Sequence, residues 1–157
     1  VTGALGCQAF VIKRISREFT ESRSLEFLEI SKQVPGLCWT EQNLLMELPD
    51  KWVVSLVAID NDGLISGYSI NSIRDDSLYV HLLVVKGALR GEGIGSALLM
   101  HARDIARSHL VVHCIRLVTT ISWTGAVSFY LRNGFSVKCE LSETNQYILE
   151  LAIQKPI

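Results

Sequence analysis

The segment Leu78–Met100 constrains this chain more than any other. It reads as an apolar strand, a short connection, the run Arg90-Gly91-Glu92-Gly93-Ile94-Gly95-Ser96, and then a long amphipathic helix. Glycines there let the backbone come close to a ligand and turn its amides inward. The first N–H groups of the following helix have no partner within it, and its dipole is positive at that end. Together they attract an anion such as a phosphate. Arg90 adds a charge-assisted bond and Ser96 a hydroxyl in the first turn. The run alone is also compatible with a ligand-free turn. A P-loop requires G-x-x-x-x-G-K-[ST], and no Lys-Ser or Lys-Thr pair follows these glycines. A dinucleotide fingerprint requires an acid at the end of the next strand, where Val118-Thr119-Thr120 supplies none.

The rest of the chain defines the setting. Ala9–Ile15 suits a first strand. Ser24–Gln33 suits a helix stopped by Val34-Pro35-Gly36, and a second short helix follows from the Thr40 N-cap, with Leu44, Leu45 and Leu48 inward before Pro49. Trp52–Ile59, the Asp60–Gly63 turn, Leu64–Ile73 and Leu78–Val85 predict an antiparallel meander. Beyond the glycine run come a helix over Ile94–His109, a strand over Val111–Thr119 and a helix over Thr124–Arg132 capped by Gly134. Strands Phe135–Cys139 and Tyr147–Ile153 close the chain. The order β-α-α-β-β-β-α-β-α-β-β predicts an α/β (α+β) mixed sheet with helices on both sides. At 157 residues, 48% of them apolar, the chain suits a single domain over 1–157 with a real core, residues 1–8 forming a flexible tail.

Net charge is −1, so no global basic field gathers nucleic acid or an anionic membrane. No apolar run approaches the ~20 residues of a membrane span. Val1–Gln8 lacks the basic start and long apolar centre of a signal peptide, and cytoplasmic residence is the expectation. Cys7, Cys38, Cys114 and Cys139 form no C-x-x-C pair, which argues against a metal site or a disulfide framework. Cys114 and Cys139, in predicted strands, are expected to be small buried residues.

The glycine run and a second constellation together resemble the GNAT superfamily of N-acetyltransferases. Arg90, Gly93 and Gly95 meet its [RQ]-x-x-G-x-[GA] loop pattern. Ala126, Tyr130, Gly134 and Phe135 meet its A-x-x-x-Y helix followed by Gly-Phe. The motifs stand in the family's order, and the element order agrees from about Phe10 onward. The resemblance implies a ternary mechanism in which acetyl-CoA and a primary amine bind together and the amine attacks the thioester directly. It implies that Leu78–Val85 splays from the next strand, so that the backbone at Leu83, Val84 and Val85 holds the pantetheine arm and polarises the carbonyl. Arg90, Gly91, Gly93, Gly95 and Ser96 would cradle the pyrophosphate, with Trp123 and Ala126 beside the arm. Trp123 departs from the family, which commonly carries Asn there. Tyr130 would be the general acid, since a phenol of ordinary pKa ~10 is protonated at neutral pH. His81 occupies the strand position where many relatives place an acid and is the candidate general base.

The resemblance leaves the acceptor open. Leu37-Cys38-Trp39-Thr40-Glu41 faintly resembles the P-W-[ST]-E stretch of N-terminal amine acetyltransferases acting on ribosomal proteins, without its Pro. Glu41, Glu47 and Glu143 are candidates to attract a cationic amine. Relatives often pair through sheet edges or C-terminal strands, so a homodimer is an open expectation. The rival readings are a non-catalytic acyl-CoA sensor of the same fold and an interaction domain with no ligand.

Overall fold

A computed structural model describes residues 9–156, so Cys7 and the expected tail over 1–8 lie outside the described residues. The elements run β1 (Phe10–Arg14), α1 (Arg17–Ser22), α2 (Ser24–Ser31), α3 (Glu41–Leu45), α4 (Lys51–Val54), β2 (Leu56–Asp60), β3 (Ile65–Arg74) and β4 (Ser77–Val85). A 3-10 turn at Gly87–Leu89 leads to α5 (Ile94–Ser108), β5 (Cys114–Thr120), α6 (Thr124–Arg132), β6 (Ser136–Leu141) and β7 (Gln146–Ala152). The expected order is present, with two extra short helices.

Helix α1 starts where Ser16 accepts the Phe19 N–H on its side chain, an N-cap placed eight residues before the predicted helix start. Helix α4 replaces the start of the predicted Trp52–Ile59 strand. Asp50 adopts a left-handed φ of 57°, and the turn it opens carries Lys51 back under α3. There Lys51 Nζ donates to the carbonyls of Leu44 (2.7 Å) and Met46 (2.6 Å). A tertiary bond of this kind leaves no local sequence period. Helix α3 ends at Leu45, so Leu44 is buried while Leu45 and Leu48 are only half-buried.

The seven strands form one sheet in the order β1-β2-β3-β4-β5-β7-β6. Among the described strands only β4 and β5 pair in parallel, because α5 supplies the crossover between them. Strand alternation divides the core between the two faces. Leu56, Ala58, Leu78 and Val80 pack with α5, Tyr130 and Phe135, whereas Val57, Leu82 and Val84 pack with Phe27, Ile30 and Leu44 of α2 and α3.

Two irregularities in this sheet prepare a site. The β3–β4 register passes from Ile70↔Leu82 to Asn71↔Val80, leaving His81 as the extra residue of a β-bulge. The β4–β5 ladder ends at Val80↔Leu117. Beyond it, Val118–Thr120 pair only with β7 and the last part of β4 only with β3. The expected splay is therefore present.

Strand β6 lies at the sheet edge with its residues largely exposed, which corrects the expectation for Cys139. Its thiol faces solvent because no helix covers that strand, whereas Cys114 in central β5 is buried as expected. Among the described residues no helix is long and apolar enough to cross a membrane.

Candidate active site

The splay opens a cleft of about 910 Å³ between β4 and β5, running from the glycine run to the head of α6. Its lining includes Leu83, Val84, Val85, Arg90, Gly91, Gly93, Gly95, Ser96, Trp123, Ala126 and Tyr130, together with His81. Residues far apart in sequence, expected to share one site, thus meet in one cavity.

At one end is the glycine cradle. Gly91 and Gly93 have φ of 83° and 88°, in the left-handed region that an L side chain rarely adopts. Gly93 is the N-cap of α5 and offers no side chain to its first turn. The first helical bond is Ala97 N–H to Gly93 O (3.0 Å), which leaves the N–H groups of Ile94, Gly95 and Ser96 without helical partners. Gly95 serves a second purpose: a Cβ there would stand 3.0 Å from Phe129 Cζ, so the glycine lets α6 close on α5. Arg90 Nε donates to Val85 O (3.3 Å), tying the guanidinium to the end of β4, and the residue lines the cleft. These orphan donors beside a cation fit a pyrophosphate.

Along the middle, β4 offers its backbone to the gap. Lys86 N–H bonds Ser66 O (2.8 Å) on the β3 side. By strand alternation the backbone groups of Leu83 and Val85 then face the side that β5 has left, while Val84 contributes mainly its side chain. A pantetheine arm, with its amides, fits this edge, which β5 leaves open and where Val85 O accepts from Arg90.

Tyr130 stands on the α5 face of the sheet, 7% exposed. Burial alone raises its phenol above the ordinary value, so the hydroxyl stays protonated throughout the neutral range. His81 approaches from β4. Its Nε2 lies 2.7 Å from Ser72 Oγ, and its ring packs 4.8 Å from Tyr79, which carries the Arg74 guanidinium at 4.6 Å. Burial first, then the nearby charges of Arg74 and Lys51, lower its pKa to about 4. The imidazole is accordingly neutral at pH 7.

The lining contains no Asp or Glu among the described residues. Glu41 instead accepts from Ser24 (3.1 Å), and Glu47 pairs with Arg17 and accepts the Trp52 indole N–H. Glu143 is likewise outside the lining. Sequence reasoning missed Arg132, the second cation of the cleft, and Gln146 on the β7 side. The signal for Arg132 was its place two residues after Tyr130; Gln146 left no local signal.

A seven-stranded sheet split between its fourth and fifth strands, with a glycine cradle at the opening, is the fold of acyl-CoA N-acyltransferases. A family model described as "Acetyltransferase (GNAT) family" matches residues 13–135, and the chain belongs to that family, whose cofactor is acetyl-CoA. Among solved structures, Ard1 from Thermoplasma volcanium superposes with a TM-score of 0.79 at 21% identity, covering 94% of this chain and 99% of that one. The PaiA N-acetyltransferase from Thermoplasma acidophilum, solved in complex with coenzyme A, gives 0.74 at 20% identity over 92% and 99%. Arabidopsis thaliana Naa50 in complex with the bisubstrate analogue CoA-Ac-MVNAL gives 0.71 at 17% over 90% and 97%. At these identities the likeness is one of fold.

Proposed function

We propose that this chain is an N-acetyltransferase that moves the acetyl group of acetyl-CoA directly to a primary amine of a peptide or small molecule in a ternary complex. The observation that carries the reading is the convergence of the cradle, the open β4 edge, Tyr130 and His81 on one cleft. Acetyl-CoA supplies the thioester that the amine attacks, with loss of the coenzyme A thiolate. The orphan N–H groups of Ile94, Gly95 and Ser96, with Arg90 and Arg132, bind the phosphates. The Leu83 and Val85 backbone aligns the arm, and an N–H there donates to the carbonyl oxygen as negative charge builds on it.

Tyr130 donates its proton to the departing sulfur; a phenol held protonated by burial is suited to that task. His81 accepts the proton that the amine loses as it bonds to carbon. With Nε2–H donating to Ser72 Oγ, Nδ1 keeps its lone pair. Burial, and after it the nearby Arg74 and Lys51, disfavour imidazolium, so the residue stays ready to accept while being a weak base. The Naa50 complex, whose bisubstrate analogue joins coenzyme A to a peptide, supports including peptides among the acceptors.

The weakness of that base, and the absence of a carboxylate from the described lining, favour one alternative, an acyl-CoA sensor of the same fold. A free-thiol release assay over a panel of amines and peptides tests the reading. Coenzyme A release that requires both acetyl-CoA and an amine is expected. Demonstrated acetyl-CoA binding with no release from any acceptor would leave the sensor.

A further inference from the structure

The segment joining α2 to α3 spans the cleft as a pinned strap. Its core is a tight Pro-Gly turn: Leu37 N–H bonds Val34 O (3.2 Å), Pro35 takes the second position, and Gly36 the third with φ +82°. That sign of φ is what a type II turn requires, and proline stiffens the other central position. One end is tied to the β4 wall, where Gln33 Oε1 accepts the Gly87 N–H at 2.6 Å just past the end of the strand. The other end meets the opposite wall. A Cβ added to Gly36 would stand 3.7 Å from Cζ2 of Trp123, an ordinary contact distance, so the indole stands over this glycine with room for a methyl group between them. Trp123 heads α6 after β5, whereas Gly87 follows β4, so the two anchors lie just past the ends of the two diverging strands. Val34, Pro35, Leu37 and Trp123 all line the cleft.

The strap lies on the His81 side of the sheet. Val34 and Leu37 pack with Leu82 and Val84, in the layer opposite the one that holds Tyr130. If the sulfur leaves toward Tyr130, the amine arrives from the face the strap covers. We propose that Trp123, standing over Gly36, is a specificity-determining residue for the acceptor: it closes the wall beside the incoming amine and excludes acceptors with a bulky group next to it. The proposal rests on the N-acetyltransferase reading. It gives Trp123 an acceptor-facing role in addition to its place beside the cofactor arm.

The test compares glycinamide, leucinamide and phenylalaninamide as acceptors for the full chain and its Trp123→Ala, Trp123→Phe and Gln33→Leu variants. Calorimetry with coenzyme A runs in parallel. Trp123→Ala is expected to raise kcat/KM for phenylalaninamide relative to glycinamide by about tenfold or more, the scale on which an apolar wall discriminates. Its coenzyme A Kd reads the separate contact with the cofactor arm, and the acceptor ratio is taken at saturating acetyl-CoA so that any loss there cancels. Gln33→Leu, which frees the other end of the strap, should move the ratio in the same direction, and Trp123→Phe should largely restore it. An unchanged ratio in both the Trp123→Ala and Gln33→Leu variants, with weakened coenzyme A binding in the first, would overturn the proposal and leave Trp123 as a cofactor residue only. Coenzyme A binding with no amide acetylated by any variant would remove the acceptor role while the cradle stood. No coenzyme A binding at all would remove both.

Discussion

The Phe135 N–H bonds the Tyr130 carbonyl at 3.1 Å, and the two rings meet edge to face with centroids 5.5 Å apart. With Gly134 at φ +94° and its N–H on Leu131 O, this is a Schellman end to α6, complete with its apolar contact. The motif that terminates the helix therefore also aims Tyr130 at the cleft. Tyr130→Phe keeps the ring contact and removes only the hydroxyl. The expected result is a kcat lower by about 10²-fold, the smaller end of general-acid effects, with acetyl-CoA affinity unchanged. Single-turnover kinetics beside calorimetry checks it; an unaltered kcat would exclude Tyr130 as the acid.

His81 links pH to both activity and stability. Its folded pKa of about 4 lies below the ordinary value of ~6.5, so between these limits the unfolded chain binds the extra proton. Stability contributed through His81 is thus full above about pH 6.5 and declines as pH falls toward 4. His81→Gln should lose less Tm between pH 7 and pH 4.5 than the unaltered protein in parallel thermal scans. It should also lower kcat/KM, and the parent pH profile should show no limb near 6.5 from this group.

Lys51 is 1% exposed, and its ammonium is spent on two carbonyls of the α3 end. Lys51→Met keeps the bulk but strands both acceptors. A loss of about 1–3 kcal/mol is expected, the scale of leaving buried polar groups unpaired. Urea denaturation reads it, and an unchanged midpoint would show that water takes over both carbonyls.

Gly95 tests the cradle by steric means. In Gly95→Ala the new Cβ meets Phe129 at 3.0 and 3.2 Å, and that ring borders Tyr130. Coenzyme A affinity should fall roughly three- to tenfold, and adding Phe129→Leu should recover most of it, a coupling expected of touching residues. Additive losses would show that the glycine matters for another reason.

Arg132 is expected to bind phosphate oxygen. Arg132→Ala should weaken coenzyme A by about tenfold or more, as loss of a charge-assisted bond implies, with little effect on S-acetylpantetheine, which has no phosphate. Equal losses for both ligands would place Arg132 elsewhere in the mechanism.

The legible parts of this chain were those with a local cause. Gly91 and Gly93 announced a loop that only glycine accommodates well, and Tyr130, Gly134 and Phe135 announced a helix end whose residues also carry the motif. What could not be read was set across the fold. The Lys51 clamp, the Gln33–Gly87 tie and the approach of Trp123 to Gly36 each join segments whose proximity depends on the assembled sheet. The exposure of Cys139 followed from β6 lying at the edge, a matter of strand order rather than strand pattern. His81 could be placed on its strand, but not in a bulge, since a bulge is a disagreement between two strands.

That bulge has a consequence in arithmetic. From Leu78 to Val80 and from Leu82 to Val85, buried residues alternate between the two faces, and the count fails only at His81. Remove that one residue and Val80 is followed directly by Leu82, facing Asn71 and Ile70 in unbroken register. The layering of the sheet is complete without it. His81 is a surplus residue in the architecture, so a single-codon deletion would subtract the proposed base while leaving every core side chain on its own face.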